Sequence, residues 1–103
     1  MTSTPPLATY SAFLSRMAAL KLGDTQASIL LAIAEGVTGP TDIANRLGLS
    51  PSSIGGQCEL LQLRKLIRKT RKRDDQRRIT YTLRPDGQQA LDALIPAAAD
   101  DQA

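Results

Sequence analysis

The sequence predicts a mainly α-helical fold with one small β-hairpin, an α+β arrangement in a single domain. Among 103 residues only Tyr10, Phe13 and Tyr81 are aromatic. The core must therefore be built from Leu, Ile and Ala, which suits helices packed at close range. Apolar residues recur at steps of three and four up to about residue 65, and again after Pro85. Between these stretches, Ile79, Tyr81 and Leu83 alternate with Thr80 and Thr82, the period of a strand buried on one face.

Each element follows from its own residues. Residues 1–6, with two prolines and small polar side chains, are expected to form a loose tail ahead of a domain spanning 7–95. Leu7, Tyr10, Leu14 and Met17 place one apolar face on a first helix running from about Ala8 to Leu20. Gly23 breaks that pattern, and Asp24 is suited to cap a second helix from about Thr25 to Glu35. Ala27, Leu30, Leu31 and Ala34 line one side of it and Ile29 and Ile33 another, so it should lie at the centre of the core. Gly36 ends it.

After "VTGP", Thr41 can cap a short helix carrying Ile43, Ala44 and Leu47. "LGLS" then turns into another helix, with Ser50 as N-cap and Pro51 in first position. Ala44, Gly48 and Ile54 have the spacing of a helix-turn-helix: a small residue where two helices nearly touch, a glycine free to take positive φ, and a branched anchor under the second helix. That second helix should continue to about Lys65, with Ile54, Cys58 and Leu61 inward. Two runs, "LIRKTRKR" and "RRITYTLR", flank "DDQ" as a hairpin over about 67–83. Pro85 and Asp86 open a last helix with Ala90, Leu91, Leu94 and Ile95 inward. Pro96 and the Ala/Asp residues to 103 are expected to form a second tail. Helices, helix-turn-helix, basic hairpin and closing helix together make a winged helix-turn-helix.

Composition narrows the function. At 42% hydrophobic and 22% charged residues the chain is ordinary for a soluble globular domain. The longest apolar run, Ile29 to Ala34, is far too short to span a bilayer, and "MTSTPPLATY" lacks the basic start and apolar run of an export signal. A lone Cys58 excludes an intramolecular disulfide, so a cytoplasmic location is expected. With no His, no Cys cluster and no glycine-rich phosphate loop, neither a zinc site nor a nucleophilic triad can be assembled. The expectation is a non-enzyme without cofactor.

The net charge is only +3, but nine of the 13 Lys and Arg residues fall between Arg64 and Arg78. Asp74 and Asp75 alone offset them, so the local field should attract a polyanion, double-stranded DNA first. Because strand side chains alternate between faces, Arg68, Lys69, Arg71, Lys72 and Arg73 cannot all touch one surface, and some only strengthen the field.

Three local features resemble the multiple-antibiotic-resistance regulator (MarR) family. They are "DIANRLGLSPSSI" for the helix-turn-helix, "DDQRRITYTL" for the wing, and "LRPDG" where the next helix opens. The resemblance implies a recognition helix at about 51–65, with Ser52 and Ser53 close to the major groove. It also implies that Arg77 at the wing tip reaches a minor groove, held there by Asp75. The physics agrees, since helix N-termini offer N–H groups to phosphate and narrow grooves attract Arg. Family members commonly carry base-reading side chains at the outward positions held here by Gly55 and Gly56. The glycines mean either close backbone approach to a partner or loss of sequence reading. Family members also dimerise through long terminal helices, and the N- and C-terminal helices here are the corresponding surfaces for a homodimer.

The candidate DNA-binding residues are thus Ser52, Ser53, Gly55, Gly56, Gln57, Arg64, Arg68, Lys69, Arg71, Lys72, Arg73, Arg77 and Arg78. Gln57 either faces the groove or is half-buried against backbone. Cys58 reads as a small hydrophobe rather than a redox switch, and Asp74 and Asp75 as turn formers rather than an acid/base pair. The expected function is a double-stranded DNA-binding transcriptional regulator, a repressor. The alternatives are a winged-helix module for a protein partner and an architectural DNA-binding protein with little sequence preference.

Overall fold

The computed structural model describes residues 7–72 and 75–95, without the side chains of 7–10, 72 and 75–77. Both expected tails lie outside the described residues. Five helices and one hairpin follow in order: α1 (Leu7–Leu20), α2 (Asp24–Ala34), α3 (Pro40–Leu47), α4 (Pro51–Leu63), β1 (Ile67–Lys72), β2 (Asp75–Leu83) and α5 (Pro85–Leu94). This is the predicted α+β winged helix-turn-helix.

The core forms around α2, where Ala27, Ile29, Leu30, Ala32 and Ile33 are buried. Ile43 and Ala44 from α3, Ile54, Cys58 and Leu61 from α4, Ile67 and Tyr81 from the hairpin, and Leu91 and Leu94 from α5 join it. Full burial of one such Ile or Leu contributes about 1.5–3 kcal/mol. The anchors expected under α4 are therefore in place, and Ala44, 1% exposed, is buried in the same core cluster.

Local chemistry explains where the helices stop. Gly48 takes φ +68 at the end of α3, and the Leu49 N–H donates to the Ala44 carbonyl. Gly36 does the same after α2, with φ +96 and a bond from Val37 N–H to the Ala32 carbonyl. Lys21 and Lys65 hold the equivalent position after α1 and α4, at φ 56 and 61, although they carry side chains. In both, the next N–H closes the turn: Leu22 to the Met17 carbonyl and Leu66 to the Leu61 carbonyl. All four ends are Schellman turns. The turn at Lys65 also ends α4 at Leu63, two residues short of the expected end.

Several local expectations are corrected. Asp24 and Thr41 are not caps: Gly23 and Gly39 occupy those positions in extended conformation, and the two residues lie inside their helices. Asp24 instead places its carboxylate in the first turn, near the positive end of the helix. On α1 the inward stripe runs through Phe13, Met17 and Leu20, while Leu14 is 59% exposed. Ala34 and Ile95 are exposed as well, because each sits at a helix end beyond the packing of α2 and α5.

In the hairpin, antiparallel register pairs Ile67 with Leu83, Arg68 with Thr82, Lys69 with Tyr81, Thr70 with Thr80 and Arg71 with Ile79, and an irregularity follows Arg71. The Tyr81 N–H donates to the Thr38 carbonyl at 2.9 Å, tying β2 to the loop that precedes α3. At the other edge, the Arg84 N–H donates to the Leu66 carbonyl. The hairpin is thus anchored at its base to the helix-turn-helix.

Candidate nucleic-acid interface

The candidate interface has two parts, the N-terminal half of α4 and the hairpin. Ser50 caps α4: its side chain accepts from the Ser53 N–H at 3.2 Å, and its hydroxyl donates to Ser53 Oγ at 3.0 Å. Ser52 Oγ stands 3.2 Å from Ser50 Oγ, and all three serines are exposed. Pro51 carries no N–H, and the first turn holds no carboxylate. The partial positive charge of this helix end is therefore left facing solvent, a setting that favours phosphate.

One turn further on, Gly55 is half-buried and Gly56 exposed. A Cβ built on either would meet nothing within 4 Å. Among the described residues nothing requires glycine there, although each costs the helix roughly 0.5–1 kcal/mol relative to Ala. Gln57 is half-buried and turned to the side, where its Oε1 accepts from Gln26 Nε2 of α2 at 3.2 Å. Of the two orientations open to Gln57, the structure shows the half-buried one, with a side-chain partner in place of backbone.

Arg64 is also placed differently from expectation. Its guanidinium donates to the Leu20 carbonyl at 2.6 Å, the Lys21 carbonyl at 2.8 Å and Gln26 Oε1 at 3.4 Å. It closes the C-terminal end of α1 and so joins that helix to α4. Local spacing could not show this, because Leu20 and Arg64 are 44 residues apart. Gln26, which links Arg64 to Gln57, carried no sequence signal either.

In the hairpin, Arg68, Lys69, Arg71 and Arg78 are all exposed. The register divides them: Lys69 and Arg71 pair across to Tyr81 and Ile79 on the core-side face, and Arg68 pairs with Thr82 on the other. Arg78 lies just beyond the last regular pair, at the irregularity that follows Arg71. Arg73 lies outside the described residues, as do the side chains of Lys72, Asp75 and Arg77. One cation escaped sequence reasoning. Arg84 lines a groove of about 530 Å³ with Arg68, Thr82, Leu83 and Pro85 at the base of the hairpin. It falls just beyond the basic window, at the start of the next helix.

Burial pushes the Cys58 thiol up to about 11, against smaller opposing effects from a hydrogen bond with Tyr81 and the charge of Lys69. Tyr81 is in turn raised by burial to about 12. Both are therefore neutral packing groups near neutral pH. Among the described residues, Arg46–Glu35 is the one ion pair, and no cluster of three His, Cys, Asp or Glu could hold a metal. No single described helix is long and apolar enough to cross a membrane.

A family model described as the MarR family matches residues 20–78, more than half of the chain. The chain belongs to the MarR family. Solved structures share the winged-helix fold of this MarR-family chain. An S. aureus MepR mutant bound to an oligodeoxyribonucleotide is 17% identical, with a TM-score of 0.83 over 92% of this chain and 71% of that one. The transcriptional regulator Tm0710 from Thermotoga maritima is 19% identical, with a TM-score of 0.79 over 87% of this chain and 64% of that one. A mutant of ZitR from Lactococcus lactis is 29% identical, with a TM-score of 0.64 over 70% of this chain and 49% of that one. Comparison with curated protein sequences found no match.

Proposed function

We propose that this MarR-family chain is a transcriptional regulator that binds double-stranded DNA, with α4 in the major groove and the β1–β2 hairpin on the flanking backbone. The observation that carries the reading is the pairing of two anion-attracting features. The N-terminus of α4 has no carboxylate in its first turn, and the hairpin exposes Arg68, Lys69, Arg71 and Arg78. MepR, whose fold this chain shares, has been solved in complex with DNA. Side-chain contacts are assigned to Ser52, Ser53 and the hairpin cations. Arg64 and Gln57 are assigned to holding α4 in place.

The regulator acts as a repressor in the cytoplasm, by occupying its site against other proteins. It works as a homodimer through α1 and α5, where Leu14 and Ile95 are exposed. Two copies would then read half-sites about one helical turn apart. Sedimentation combined with footprinting tests this directly: a monomer giving one short footprint would contradict the dimer.

The DNA reading itself is tested by fluorescence anisotropy with mixed-sequence duplexes at low salt. Binding is expected, and Arg71→Ala should weaken it. A winged-helix module for a protein partner is the second reading, favoured by Leu60 and Leu63, which are 47% and 78% exposed on α4. Failure to bind any duplex at low salt would decide for it.

A further inference from the structure

We propose that Gly55 and Gly56 let the backbone of α4 seat directly against the base edges of the major groove, so that close approach, and not base-reading side chains, positions this helix on DNA. The inference rests on the reading of α4 as the groove-entering helix and assigns how that helix makes its contact.

Glycine inside a helix lowers its stability, so its presence calls for a reason. At three other glycines the fold supplies one. Gly36 and Gly48 hold positive φ at helix ends, and a Cβ on Gly87 would collide with the Leu66 carbonyl. Gly55 and Gly56 have neither constraint: their φ is not positive, and an added Cβ would lie in open space. Among the described residues nothing excludes a side chain there, which points to an external partner.

The neighbouring side chains point to the same contact. Within α4, Glu59 is the only charged residue, and it would repel phosphate. The Gln57 amide is engaged by Gln26, and the Arg64 guanidinium by the carbonyls of Leu20 and Lys21. The long polar groups of Gln57 and Arg64 are therefore engaged within the protein, and Gln62 Nε2 donates to the Cys58 carbonyl. Gly56 lies four residues after Ser52 and three after Ser53, so it shares their face of the helix. That face presents small hydroxyls at the anion-attracting end, then bare backbone at Gly56, with exposed Glu59 and Leu60 one turn further on. Such a surface can descend further into a groove than one carrying arginine or glutamine, and its Cα hydrogens offer apolar contact to thymine methyls.

The test compares the native chain with Gly55→Ala, Gly56→Ala and the double variant. Thermal unfolding of the free protein is measured beside anisotropy titrations of mixed-sequence duplexes at fixed salt. Each alanine should raise the unfolding midpoint by a few degrees. The double variant should lose about tenfold in duplex affinity, comparable with one wrong base pair in a site. The slope of affinity against salt should stay unchanged, because no charge is altered. Variants that are more stable and bind as tightly as the native chain would overturn the proposal. So would variants less stable than the native chain, since the fold itself would then need the glycines. A native chain that binds no duplex at low salt overturns the underlying reading and this inference together, and is distinguished by the native titration alone.

Discussion

Gly87 sits where a Cβ would lie 2.0 Å from the Leu66 carbonyl oxygen, the atom that also accepts from the Arg84 N–H. The start of α5 and the turn after α4 are therefore packed backbone to backbone. Gly87→Ala should destabilise the protein by about 1–3 kcal/mol, read as a lower urea midpoint with an unchanged m-value. The "LRPDG" motif announced the helix start but not this contact, because the partner atom is a carbonyl brought in by tertiary packing. Cys58 and Tyr81 give a second prediction at this scale. Burial raises the thiol from 9.0 to about 11 and the phenol from 10.0 to about 12. The folded state thus keeps protons that the unfolded state loses. The associated stability is complete below pH 9 and is lost as pH rises through about 11 and then about 12. Denaturation midpoints should fall steadily above about pH 9, and native Cys58 should resist thiol reagents at neutral pH.

At the scale of elements, the Schellman turns after α1 and α4 place lysines in the left-handed region, which side chains rarely adopt. Lys21→Gly and Lys65→Gly should each stabilise the protein by about 0.5–1 kcal/mol, measured by thermal unfolding. Neither turn was legible in the sequence, because lysine gives no sign of positive φ. Gly48 was legible, and so was Ser50 with Pro51, since their chemistry is local and acts on adjacent backbone. Where two suitable residues competed, local reasoning chose wrongly. Asp24 and Thr41 looked like caps, but Gly23 and Pro40 precede them and the helices start earlier. The inward face of α1 failed for a different reason. Steps through Leu14 and through Phe13 fit one helix equally well, and only packing against the rest of the core selects Phe13, Met17 and Leu20.

Across the whole molecule, charge and shape are divided between two parts. A helical core with no buried polar side chain among the described residues carries a hairpin on which the cations are concentrated. That concentration was readable from sequence alone, because nine of 13 basic residues fall in one short window. What each cation does was not. Arg64 belongs to the same window but serves α1, and the register places Lys69 and Arg71 on one face and Arg68 on the other. The central claim is that the hairpin binds DNA through phosphate charge, and the salt dependence of duplex affinity tests it most directly. Between about 50 and about 200 mM salt, log K should fall linearly with log salt, with a slope of about −3 or steeper, and Arg71→Ala should reduce that slope by about one. An affinity that does not change over this range would contradict the account.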